Sequence, residues 1–202
     1  TPLKADEDAI YHEVMEINLS EILPMTAKPH SPDNVDTIKN TKGIKVDQVL
    51  IGSCTNSSYM DLMKAAAILK NKKVHPDVDL GISPGSSKIL KMLADNGALS
   101  TFISAGARIL ECSCGPCIGM GQSPKDKGVS LRTFNRNFCG RSGTKNASVY
   151  LVSPETAAIS AIEGYLQDPI NLEADFTIEE PALYAENNNY FIYKKNFDNP
   201  VI

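Results

Sequence analysis

From residue 46 onward, the chain alternates short apolar runs with stretches whose apolar residues recur at helical spacing. The short runs are typical of buried strands and are predicted at residues 46–51, 78–82, 107–110 and 148–152. Helices are predicted at residues 59–69, 88–95, 99–106 and 154–164, with start signals at Ser58 and Pro154. This alternation constrains the chain to a mainly parallel sheet with helices on both faces. We therefore expect an α/β fold with three α/β/α layers.

The two ends of the chain differ from this middle section. Residues 11–23 alternate polar and apolar side chains, which predicts a half-buried strand. Residues 24–43 contain three prolines and several Asn and Asp residues, which predicts a loop. Residues 167–202 are rich in acids and asparagines with few periodic apolar residues. We expect an α/β domain over residues 1–166, followed by a connector over residues 167–202 that leads toward an absent C-terminal domain.

The composition excludes several classes of function. The net charge is −4 and no long Lys/Arg run occurs, so neither nucleic acid nor an anionic membrane is an expected partner. The apolar stretches are far too short for a membrane span, and residues 1–7 lack the apolar core of a signal peptide. The five cysteines are odd in number and clustered, unlike a disulfide framework. We expect a reducing, cytoplasmic location with free or metal-bound thiols.

Three cysteines form the pattern that carries most chemistry: Cys54, and Cys114 with Cys117 in a C-x-x-C pair. Each loop follows a predicted strand, and ligands of open parallel sheets bind at the carboxyl ends of strands. We therefore expect both loops at the same edge of the sheet. Three thiolates are one short of closing a zinc site or a four-iron cluster. The missing protein ligand leaves a metal position open to a substrate.

Other interpretations of the cysteines stay open. They are three unrelated buried thiols, a structural metal in a binding module, or a dithiol redox pair formed by Cys114 and Cys117. The glycines at 119 and 121 argue against the redox pair, because they interrupt the long helix that such a site needs. Cys112 competes with Cys114 as a ligand, although C-x-x-C is the commoner chelating spacing. We expect Cys139 to be a packed thiol near the site.

A second constellation lies at residues 132–141, where three arginines and two asparagines alternate with aromatic residues. The planar guanidinium group binds carboxylates through two parallel hydrogen bonds. In an acidic chain, such a concentration of donors predicts an anionic small-molecule substrate. The alternative is an exposed charged loop that forms ion pairs with nearby acids.

Together these segments resemble the aconitase family. The resemblance covers about residues 10–166 and rests on residues 16–21, 49–59, 114–119, 134–141 and 152–155. It implies a [4Fe–4S] cluster held by Cys54, Cys114 and Cys117, with one iron free of protein ligands that acts as a Lewis acid. It also implies that Asn135 contacts the substrate or its bound water. Arg136 and Arg141 would pair with substrate carboxylates.

The same resemblance bears on the substrate. The relatives 3-isopropylmalate dehydratase and homoaconitase tend to have glycine where Ser57 stands. This difference favours aconitate hydratase, which interconverts the tricarboxylates citrate and isocitrate through cis-aconitate. The family's catalytic base and acids lie in other domains and have no counterpart in this sequence. The chain thus resembles the third of four domains, with the other domains of the full-length enzyme as partners, and we expect it to be inactive in isolation.

Overall fold

The computed structural model describes residues 3–172, 174, 176–178 and 181, and seven strands of this part form one sheet. The strands are β1 (Met25–Ala27), β2 (Val35–Thr37), β3 (Gln48–Gly52), β4 (Asp79–Ser83), β5 (Arg108–Ile109), β6 (Val129–Arg132) and β7 (Ser148–Leu151). Their order is β2-β1-β7-β6-β3-β4-β5. In this order the five neighbouring strands β7, β6, β3, β4 and β5 are parallel, and β1 pairs antiparallel with β7 and β2. The predicted mainly parallel sheet is confirmed.

The helices begin and end where their capping residues stand. They are α1 (Ile38–Thr41), α2 (Tyr59–Leu69), α3 (Ser87–Asp95), α4 (Ala98–Ala105) and α5 (Pro154–Glu163). Ser58 and Asp61 form a capping box that starts α2, and the side chain of Ser86 caps α3. Gly164 ends α5 in the left-handed conformation. No helix in the described ranges has the length and apolar character needed to cross a membrane.

The central strand β3 separates two cores. Val49 and Ile51 pack on one face of the sheet with residues of α2, α4 and α5. Leu50 points to the opposite face, where it packs with Cys117 and Phe134. This second face is covered by the cysteine segment, which contains a short 3₁₀ helix at Gly115–Ile118. The predicted three layers are present, with this short helix in place of a long one in the third layer.

The structure corrects the prediction at the N-terminal end. Residues 11–23 do not form a strand, and their regular structure is a 3₁₀ helix at Leu19–Glu21. Val14 is 82% exposed, so the alternating apolar side chains find neither a sheet edge nor a core. Residues 24–43 are not a loop throughout, since β1, β2 and α1 lie there. The predicted connector over residues 167–202 lies mostly outside the described residues.

Candidate metal centre

The loop that carries Cys54 begins with a sharp turn at the end of β3. Gly52 and Ser53 both have positive φ angles, of 119° and 66°. A Cβ atom at Gly52 would collide with the carbonyl oxygen of Ser83, so the turn requires glycine there. The backbone N–H of Ser53 donates to that same oxygen at 2.8 Å. The turn leaves Cys54 exposed beside the end of β4.

Side-chain hydrogen bonds fix the rest of this loop. The Asn56 amide donates to the carbonyl oxygen of Thr133 at 2.6 Å, and the Gly52 N–H donates to the Thr133 hydroxyl at 2.8 Å. Ser57 is buried, and its hydroxyl donates to the carbonyl oxygen of Ser53. Asn56 and Thr133 therefore couple the Cys54 loop to the chain that follows β6, a positioning role that the sequence pattern does not reveal.

The second cysteine loop follows β5 and meets the first. Cys54, Cys112 and Cys114 line one cavity of about 150 Å³, whose other lining residues are Ser53, Pro84, Gly85 and Ser113. The hydroxyl of Ser83 donates to the carbonyl oxygen of Glu111 at 3.2 Å, which ties the end of β4 to this loop. Cys54, Cys112 and Cys114 thus share the edge formed by the carboxyl ends of β3, β4 and β5.

Cys117 lies beneath this edge and is 3% exposed, with Leu50 and Phe134 around it. It is close enough to interact electrostatically with Cys114. Desolvation raises the pKa of the exposed Cys114 thiol, the neighbouring thiols of Cys117 and Cys54 raise it further, and Arg141 opposes the rise. Burial alone raises the pKa of Cys112. The environment of Cys114 is opposite to that of a reactive redox thiol, whose pKa is lowered by a helix N-terminus or cations.

The arginine loop approaches the cysteines through Arg141. Its Nη2 lies 3.5 Å from the sulfur of Cys117, and its Nε is buried without a hydrogen-bond partner among the described atoms. Gly119 lies so close to the carbonyl of Ser142 that a Cβ atom there would collide with it. Asn135 and Arg136 are exposed just beyond the end of β6. The loop therefore presents two cationic groups near this edge.

Two residues of the constellation differ from expectation. Arg132 is fully buried under the sheet and bonded to neutral oxygen atoms, so it does not belong to an exposed donor set. Cys139 is exposed and its thiol contacts the carbonyl oxygen of Lys145 at 3.5 Å, so the expectation of a packed thiol is wrong.

The donor set fits a polynuclear cluster. Thiolates are soft ligands that select zinc, copper(I) or iron–sulfur clusters. Within the described ranges, no group of three His, Cys, Asp or Glu side chains is arranged to hold a single metal ion. Thiolates that bind different iron atoms of one cluster need not converge on one point. The buried hydroxyl of Ser53 and the Nε of Arg141 have no partner among the described atoms and add two free donors near the thiols.

Comparisons with known proteins find a matching family model and similar relatives. The model of the aconitase family (aconitate hydratase) matches residues 1–164. The 3-isopropylmalate dehydratase large subunit of Caldanaerobacter subterraneus subsp. tengcongensis is 48% identical over 169 residues, which are 83% of this chain and 40% of that protein. The large subunit 2 of the same enzyme from Archaeoglobus fulgidus is 44% identical over 168 residues, with the same coverage of both chains. The chain thus spans about 40% of the length of these relatives.

Proposed function

The chain belongs to the aconitase family, and on that premise we propose that it is the cluster-binding domain of a hydro-lyase of the 3-isopropylmalate dehydratase type. The observation that carries this proposal is the cavity that Cys54 and Cys114 share, with Cys117 buried three residues after Cys114. The similar relatives are named for dehydration of 3-isopropylmalate. They do not support the expectation of aconitate hydratase and citrate.

The prediction of aconitate hydratase rested on Ser57, and the local structure gives this serine a different role. Its hydroxyl is buried and donates to the carbonyl of Ser53 in the turn before Cys54. Gly85 packs so closely against this hydroxyl that a Cβ atom there would collide with it. Ser57 therefore serves the packing of the loop, and its identity reports on that packing more than on the substrate.

We assign Cys54, Cys114 and Cys117 as the ligands of a [4Fe–4S] cluster. These three thiolates would hold the cluster, which would supply a Lewis acid for the loss of the substrate hydroxyl as water. The residues of this chain hold and orient the reactants around it. The Cys54 turn fixes one thiolate at the cavity wall, and the buried position of Cys117 shields another from solvent.

The proposed substrate is a hydroxy-dicarboxylate that carries a branched alkyl group, which is the chemistry of 3-isopropylmalate. Arg136 is exposed just beyond the end of β6 and would bind one carboxylate, and Arg141, whose Nε–H has no partner among the described atoms, would bind another. A guanidinium group matches a carboxylate with two donors at fixed spacing, so these arginines orient the substrate as well as attract it. Asn135 offers an amide to the substrate or its bound water.

We further propose that the 202 residues bind the cluster but do not turn over substrate by themselves. The proton-transferring groups of the family have no counterpart in this sequence, and the chain spans about 40% of its relatives. The remaining domains or subunits of the enzyme are the proposed partners. Detectable turnover by the isolated chain would contradict this part of the proposal.

Anaerobic reconstitution with iron and sulfide tests the ligand assignment. We expect the chain to take up a cluster, measured as visible absorbance and as iron and sulfide content. Each of Cys54→Ser, Cys114→Ser and Cys117→Ser should abolish or strongly reduce uptake. Cys139→Ser is the matched control and should leave uptake unchanged, because Cys139 lies outside the cavity. A loss in Cys112→Ser together with full uptake in Cys114→Ser would reassign that ligand to Cys112.

A second experiment tests the substrate class. We expect 3-isopropylmalate, added to the reconstituted chain, to perturb the Mössbauer signal of one iron, with citrate having a weaker effect. Arg136→Gln and Arg141→Gln should each weaken this response while cluster content stays the same. A stronger response to citrate would favour aconitate hydratase, and a response to neither compound would reject the proposed substrate site.

A further inference from the structure

Arg132 is the least accessible charged side chain of the site. It lies on β6 and is 0% exposed, below the loop that carries Cys114 and Cys117. Its Nε donates to the Ser130 hydroxyl at 3.1 Å, and its Nη2 donates to Gln48 Oε1 at 3.1 Å. The guanidinium also lies over the ring of Phe134, with 5.6 Å between Cζ and the ring centroid. These contacts fix the guanidinium in one position under the sheet edge.

Two of its hydrogen bonds reach the cysteine segment itself. Nη1 donates to the carbonyl oxygen of Pro116, between the two cysteines of the C-x-x-C pair, at 2.6 Å. Nη2 donates to the carbonyl oxygen of Gln122 at 2.9 Å. Arg132 thereby fastens residues 116–122 to the sheet at both ends. Only a planar, multi-donor cation can satisfy four acceptors in these directions, which lysine cannot do.

All the oxygen partners of Arg132 are neutral. Within the described ranges, no carboxylate forms an ion pair with it. A buried cation without an anion is costly, because it has lost its hydration and gained no opposite charge. Burial lowers the pKa of Arg132 to about 10, because the guanidinium has lost its hydration. The guanidinium instead meets the backbone directly before the ligand Cys117, because Nη1 bonds the carbonyl oxygen of Pro116.

We propose that Arg132 is a positioning residue of the cysteine centre, which clamps the C-x-x-C loop to the sheet and places a fixed positive charge beside Cys117 and the group bound there. The clamp stands on the hydrogen bonds alone, whereas the effect of the charge rests on the proposed function. Groups beneath the ligands of a metal site orient those ligands and tune the metal. The net charge around an iron–sulfur cluster sets its reduction potential.

Alkylation of the metal-free protein tests the clamp. Cys117 is buried, so iodoacetamide reaches it only when the loop opens. Arg132→Gln removes two hydrogen bonds from a charged donor to the loop, and we expect Cys117 to react at least ~tenfold faster. Cys117 should also react faster in Arg132→Lys, because lysine lacks the planar set of guanidinium donors. Mass spectrometry that localises the label separates Cys117 from Cys139, whose exposed thiol should react at an unchanged rate.

The reduction potential of the reconstituted cluster tests the charge. Arg132→Gln removes a positive charge and should make one-electron reduction about tenfold less favourable, a fall of about 59 mV. Arg132→Lys keeps the charge and should stay near the wild-type potential, a difference that a merely structural role would not produce. Arg108→Gln is the matched control, because Arg108 is exposed and bonds the Gln122 side chain instead of its carbonyl. Arg108→Gln should change neither the alkylation rate of Cys117 nor the reduction potential of the cluster.

The outcomes separate this inference from the proposed function. Failure of the wild-type chain to take up a cluster would reject the proposed function and leave the alkylation test of the clamp in force. Cluster uptake with identical alkylation rates and potentials in all variants would overturn the role of Arg132. If Arg132→Gln does not fold, Arg132→Lys decides, since unchanged Cys117 alkylation in that variant would also overturn the clamp.

Discussion

Replacing Asn137 by alanine is expected to destabilise the domain by about 2 kcal/mol. Asn137 is fully buried, and its amide donates to the carbonyl oxygens of Lys28 at 2.8 Å and Val149 at 3.1 Å. These bonds tie the arginine loop to the end of β1 and to β7. Alanine leaves both carbonyls without their donor, at about 1–3 kcal/mol for each fully buried group.

Two features make the expected loss of stability smaller than the sum for two buried carbonyls. The carbonyl of Lys28 is only partly buried, so water can replace its lost donor. The Oδ1 atom of Asn137 is itself buried without a partner among the described atoms, so alanine also removes one unfavourable group. What remains is about one fully lost hydrogen bond to a buried acceptor plus some lost packing, which gives a net effect of roughly 2 kcal/mol.

Urea unfolding measures this difference, provided that circular dichroism and fluorescence report the same transition. With an m value of roughly 2 kcal/mol/M, the midpoint should fall by about 1 M. Asn135→Ala is the matched control from the same loop. Asn135 is exposed, and its replacement should stay within about 0.5 kcal/mol of wild type. Equal unfolding curves for the two variants would refute the structural assignment of Asn137.

Three further predictions concern stability. Ser58→Ala removes the capping box of α2 and should cost about 1 kcal/mol in urea unfolding; an unchanged midpoint would contradict it. Gly52→Ala meets both a positive φ and a collision with Ser83, and should cost at least ~3 kcal/mol, whereas Gly97→Ala, with open space around its Cβ position, should cost only about 1–2 kcal/mol. Desolvation raises the pKa of Asp47, but hydrogen bonds from the Lys125 ammonium and the Val129 N–H outweigh it, so the pKa lies below its ordinary value of 3.8. The stability that Asp47 adds is therefore present above pH 3.8 and lost as the pH falls through the lower folded-state pKa. Unfolding midpoints measured against pH should show this loss for the wild type and not for Asp47→Asn.

The sequence predicted best where apolar periodicity and capping residues agree. The helix predicted at residues 59–69 is α2 with the same bounds, because Ser58 caps a helix whose apolar face meets β3 and α5. The strand predicted at residues 78–82 is β4 shifted by one residue. The expectation that the two cysteine loops share one edge of the sheet rested on the carboxyl ends of parallel strands, and the cavity places Cys54 beside Cys114.

The strand β6 escaped prediction because half of it is polar. Ser130 and Arg132 are both fully buried, and they satisfy each other and Gln48 by hydrogen bonds. A search for apolar runs cannot find a strand whose buried face is polar. At residues 11–23 a strand was predicted where none forms. Alternating polar and apolar residues give a half-buried strand only when a sheet edge is available to pair with it.

The same polar layer explains how the site is held. The apolar core on the helical face fixes the strands, but the positions of the cysteine loops depend on hydrogen bonds made on and around the opposite face. Asn56 binds the carbonyl of Thr133, and Arg132 binds the carbonyl of Pro116. Since Thr133 directly follows Arg132, one short segment at the end of β6 holds both cysteine loops. Substitutions in the helical core should therefore change stability first, whereas substitutions at this segment should change the geometry of the thiols while the sheet stays folded.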